Sequence, residues 1–123
     1  MRMVLTAAAV SLVLAAPAYA AERTTEAFYS DALALKAKGP MALFSGKLKP
    51  LMAEGKAAGE ALRQQRLAAL KRGEAPSYCP PEGGRMGQQD MLDGLGKIPA
   101  DERRRLSLSQ GMLRVLQTRY PCR

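Results

Sequence analysis

Two thiols and a loose group of carboxylates are the side chains of this chain with the most evident chemical potential. Cys79 sits in the Pro/Gly-dense stretch "APSYCPPEGGRM", Cys122 lies near the C-terminus, and Glu82, Asp90 and Asp93 form the nearest acidic cluster. The sequence contains no histidine, so neither a Ser–His nor a Cys–His pair exists to activate a nucleophile. A zinc site would need two good ligands beyond the thiolates to complete its tetrahedron. Haem attachment and thioredoxin-like exchange need a C-x-x-C spacing that is missing. The segments "GKAAGE" and "PPEGGRMG" lack the spacing and the preceding strand of a phosphate loop. Paired carboxylates can hydrolyse glycosides, which makes Glu82, Asp90 and Asp93 the one candidate acid/base set. Asp90 and Asp93, however, fall on a helical stretch whose other face is apolar, the pattern of solvated side chains. The chain therefore reads as a non-enzyme without cofactor or metal.

What remains for the cysteines is each other. The opening "MRMVLTAAAVSLVLAAPAYAAE" has one early cation, Arg2, an apolar run from Met3 to Ala16, then Pro17 and the triplet Ala18-Tyr19-Ala20. This is the three-part layout of a secretory signal peptide, 1–20, cleaved after Ala20. The apolar run is shorter than the roughly 20 residues that span a bilayer, so no stable membrane insertion is expected after cleavage. Export to the periplasm or beyond takes the thiols into an oxidising compartment and predicts a Cys79–Cys122 disulfide. Closing a loop of about 43 residues stabilises a fold by roughly 4 kcal/mol in the chain-entropy account. That is a large share for a single domain over 21–123, which is small enough to be marginal without a staple. Pro80, Pro81, Gly83 and Gly84 keep the connection out of regular structure. Cys79 then tethers the last helix to a loop that otherwise has little to bury.

The elements that must hold these residues are helices. Thr24 and Thr25 precede "EAFYSDALALKAK", where Phe28, Ala32 and Leu35 share a face beside Tyr29 and Leu33, and Gly39-Pro40 stops the run. "MALFSG" reads as one helical turn whose Met41, Leu43 and Phe44 are expected to be buried. A long helix opens with Pro50 at its first position and runs to Gly73, with Leu51, Ala58, Leu62 and Ala69 on one face and Met52, Gly59, Leu67 and Leu70 near it. Gly55 and Gly59, one turn apart, predict close approach of a neighbouring helix, with a groove or kink as the functional alternative. "GQQDMLDGLGKIP" places Met91, Leu92, Leu95 and Ile98 at helical spacing. "PADERRR" gives one or two turns, and "LSLSQGMLRVLQTRYPC" a last helix capped by Ser107 or Ser109, with Met112, Val115, Leu116 and Tyr120 inward. The predicted fold is all-α, a small bundle of four to five short helices with one disulfide.

The formal charge of +8 becomes +7 once Arg2 leaves with the leader. Export and a low aromatic content argue against nucleic acid. The densest basic run, Arg103 to Arg105, is explained by helix-dipole complementation and solubility. The other cations form a diffuse field suited to meeting an acidic partner.

From Tyr78 to Cys122 the order of features resembles the Rap/Tai group of type VI secretion immunity proteins: a Cys-Pro-Glu-Gly-like loop, a helix, a Pro-led segment with an arginine, and a final helix ending in aromatic-Pro-Cys. The matching residues include Cys79, Pro81, Glu82, Gly83, Pro99, Arg103, Tyr120, Pro121 and Cys122. In the first half the chain departs from the group, with "AEGKAAGEALR" where many members have a further cysteine pair and a Gly-rich aromatic segment. The resemblance implies a non-catalytic periplasmic protein whose partner is a peptidoglycan-cleaving cell-wall amidase. Contacts are then expected in the tethered loop, at Glu82, Arg85 and Gln88. The composition also suits a periplasmic stress chaperone or an envelope-surface binding protein, and it leaves the oligomeric state open.

Overall fold

A computed structural model describes residues 22–123; the expected signal peptide, 1–20, and its expected cleavage point lie outside the described residues. Five α-helices, α1 (Thr25–Ala37), α2 (Leu48–Lys71), α3 (Gln88–Lys97), α4 (Ala100–Arg103) and α5 (Leu108–Arg119), follow in order, with a 3₁₀ turn at Gly39–Phe44 between α1 and α2. The all-α class is thus as expected. Among the described residues extended pairing is confined to one antiparallel bridge, Thr24 with Ser107.

The helix starts follow from local chemistry. Thr24 is extended and its hydroxyl accepts from the Ala27 N–H at 3.1 Å, satisfying a donor that the first turn leaves orphaned. Ser107, not Ser109, caps α5, in a reciprocal box with Gln110. The Ser109 hydroxyl instead donates to Glu22. α2 begins two residues before the expected start, which leaves Pro50 in the first turn, where a missing N–H costs nothing. Gly73, at φ 73°, ends it in the left-handed conformation that favours glycine.

Leu95, Leu108 and Met112 lie at the centre of a core shared with Ala58, Leu62 and Val115. Burying a leucine such as Leu95 or Leu108 stabilises the fold by about 1.5–3 kcal/mol. α5 runs through the middle and touches α1, α2 and α3. Two glycines admit this close packing: a Cβ at Gly94 would strike the Val115 methyls, and one at Gly111 would strike buried Thr25. The Thr25 hydroxyl donates to the Ser107 carbonyl at 2.7 Å.

Three expectations are corrected here. Met41, Leu43 and Phe44 are not buried but 65 %, 74 % and 84 % exposed, because the turn that carries them lies beyond the paired ends of α1 and α2. Arg103 is not part of a solvated basic run. It is 9 % exposed, pairs with Glu26, donates to the Ile98 carbonyl at 2.5 Å and lies over the Tyr29 ring; its neighbours Arg104 and Arg105 are exposed. Finally, the Cys79 loop does have something to bury, since Tyr78 is only 6 % exposed and belongs to the core.

Candidate functional site

The Cys79–Cys122 disulfide is formed, with Cα atoms 4.9 Å apart. The Cys79 N–H donates to the Tyr120 carbonyl at 2.8 Å, and the Gln117 side-chain amide donates to the Ser77 carbonyl at 3.2 Å. Arg66, on α2, stacks over the Tyr78 ring at 5.4 Å from its centroid. One end of the loop is therefore fixed to α2 and α5 by covalent, hydrogen-bonded and packed contacts together.

From that anchor the chain turns sharply. The Gly84 N–H donates to the Pro81 carbonyl at 2.9 Å, with Gly83 at φ 73°, a conformation open to glycine at no steric cost. The turn leaves Glu82 exposed, and Arg85 is exposed beyond it. Met86 then packs back against the core. Gln88 begins α3. The loop is thus held at both ends while its middle meets solvent.

Beside the loop lies a cleft of about 550 Å³ between α1, α2 and α3, within the size range of small-ligand and side-chain sites. α1 contributes Phe28 and Ala32, and α2 contributes Leu48, Leu51, Met52 and Gly55. Met86, Met91, Leu92 and Leu95 close the opposite wall, and α5 contributes Met112. The polar lining residues are Lys36, Lys56, Gln88 and Gln89. Four methionines make the lining adaptable, because an unbranched thioether chain re-packs at small cost.

Gly55 answers the question its position raises in the sequence. A Cβ there would stand 3.2 Å from the Phe28 ring, and one at Gly59 would stand 3.5 Å from the Met112 methyl. Close approach of α1 to α2 is therefore real at Gly55, and the same glycine lines the groove. At Gly55 close approach and groove coincide, whereas Gly59 only packs beside Met112 and does not line the cleft.

Of the three loop residues expected to meet a partner, the structure brings Gln88 to the cleft and leaves Glu82 and Arg85 outside its lining. Helical periodicity places Phe28, Leu51 and Leu95 on helix faces but does not reveal that they surround a hollow. The available signal was the concentration of methionines at 52, 86, 91 and 112 together with the glycine at 55.

The carboxylate set is divided. Asp90 and Asp93 line a second, smaller hollow of about 390 Å³ between α3 and α5, together with Lys97, Arg114 and Arg119, whereas Glu82 is not part of it. Asp93 accepts a hydrogen bond from Gln89 at 2.7 Å, and both aspartates are exposed. Among the described residues no helix is long and apolar enough to cross a membrane, and the disulfide is compatible with an oxidising compartment. Compared with protein-family models, with curated proteins and with solved structures, the chain finds no match.

Proposed function

We propose that this protein is an exported, non-catalytic binding protein that acts as an immunity-type inhibitor of a peptidoglycan-cleaving amidase, taking an apolar segment of that enzyme into the cleft between α1, α2 and α3. The observation that carries the reading is the juxtaposition of a loop fastened at both ends with a methionine-rich cleft that it borders. A pre-fastened loop loses little entropy on binding. A soft apolar pocket beside exposed Glu82, Arg85 and Gln88 supplies an anchor with polar groups around it, the layout of an energetic centre in a protein interface. The resemblance over Tyr78 to Cys122 is what names the amidase class.

The test is inhibition of a peptidoglycan amidase encoded beside this chain. The reading expects a stable complex and loss of amidase turnover on mixing. Met52→Glu places a charge at the exposed edge of the cleft and should release the enzyme while leaving the helical spectrum unchanged. Undiminished cell-wall cleavage with no complex formed would reject it.

A further inference from the structure

The 3₁₀ turn Gly39–Phe44 carries the most exposed large apolar side chains among the described residues, Met41, Leu43 and Phe44. Side chains three apart in a 3₁₀ helix eclipse one another, so Met41 and Phe44 project on the same side. The three do not line either hollow; they form a convex tip where α1 hands over to α2. Leaving such side chains in water forgoes the free energy of burial, and a clustered apolar tip marks a surface that something covers.

The flanks say what covers it. Lys36 and Lys38 precede the turn, Lys47 and Lys49 follow it, and no acidic residue occurs between Asp31 and Glu54. All four lysines are exposed, and none takes part in the ion pairs formed among the described residues. A protein partner is a poor fit, since interfaces are depleted in lysine and surround their apolar centre with mixed hydrogen-bonding groups. A bilayer surface fits both parts. Apolar side chains enter the boundary between headgroups and acyl chains, and lysines reach the phosphates on flexible stems.

We infer that this turn is a peripheral attachment site for an anionic lipid bilayer, with Met41, Leu43 and Phe44 entering the interface and Lys36, Lys38, Lys47 and Lys49 on lipid phosphates. The apolar tip lies outside the cleft, although Lys36 borders both, and attachment to a bilayer does not depend on the amidase reading. It would hold the protein at a membrane surface reversibly.

The chain contains no tryptophan, so Phe44→Trp gives a reporter confined to the turn. In vesicles of equal parts phosphatidylglycerol and phosphatidylcholine its emission should shift to the blue and be quenched by brominated acyl chains. In pure phosphatidylcholine, or at 1 M salt where the Debye length is about 3 Å, the shift should largely vanish. Adding Lys47→Ser and Lys49→Ser should weaken the partitioning roughly thirtyfold. An emission maximum that anionic vesicles leave unmoved would overturn the proposal. So would a blue shift that grows with protein concentration in the absence of lipid, which would make the tip a contact between copies of the chain. Amidase inhibition is read in a separate assay, so either idea can fail without the other.

Discussion

The Arg103 guanidinium lies 4.4 Å from the centroid of the Tyr29 ring, an arrangement that bolts the four-residue α4 to α1. A helix of one turn cannot hold itself. Its position comes from this stacking, from the ion pair with Glu26 and from the bonds that Arg103 donates to the Ile98 and Gly96 carbonyls. Replacing Arg103 with alanine leaves these acceptors in a largely dry site without a donor, and should lower stability by about 3 kcal/mol. Lysine keeps the charge but not the planar fork, so Arg103→Lys should recover only part of the loss. Urea denaturation of the three proteins measures both effects.

The same contact sets a pH dependence. Chiefly through the hydrogen bond from Arg103, the Glu26 carboxyl is held below its ordinary range. A carboxyl whose folded value is depressed contributes stability that is present above its unfolded value, near 4.3, and is lost as pH falls through the folded value. Stability should therefore decline in acid below about pH 4.3, and Glu26→Gln should flatten the part of that decline due to this residue. Melting temperature followed from neutral to strongly acid pH tests it, and parallel curves for the two proteins would contradict it.

Opposite signs are expected at two helical glycines. At Gly94 an added Cβ would fall well inside van der Waals contact with both methyls of Val115, an overlap that a β-branched side chain, stiff at χ1, cannot clear by a small shift, and Gly94→Ala should cost about 1–3 kcal/mol through overpacking. At Gly55 the obstacle is the edge of the Phe28 ring beside an open cleft. The ring can yield by a few tenths of an ångström, so the helix-propensity gain of about 1 kcal/mol should prevail and Gly55→Ala should stabilise. Both are read from the midpoint of chemical denaturation.

Reduction of the disulfide should lower stability by about 4 kcal/mol at most. Because Tyr78 is buried and Cys79 is hydrogen-bonded to Tyr120, the loop should not detach completely. The Cys79→Ser/Cys122→Ser protein should keep its helical circular dichroism while hydrogen exchange accelerates in residues 74–87. A chain that loses its helices altogether on reduction would show that the cross-link, not the core, holds the bundle together.

Features governed by near neighbours were legible from the residues alone. Thr24 caps α1 and Gly73 ends α2 because capping and left-handed turns depend on side chains a few positions away. The buried stripe Leu51, Ala58 and Leu62 follows from a period of 3.6, and the pairing of Cys79 with Cys122 follows from having two thiols and no competing ligand. Tertiary structure decided what lies between elements. Arg103 looks like Arg104 and Arg105 in the chain, and only the approach of Tyr29 and Glu26, more than 70 residues earlier, separates the buried member from the solvated ones. Met41, Leu43 and Phe44 are as apolar as any core residue, yet they stay outside because burial requires a neighbouring layer, and past the ends of α1 and α2 the described residues supply none. The cleft has the same origin. Its lining comes from four helices and the loop, and a hollow exists only once distant faces are set at a distance from one another, which no local periodicity encodes.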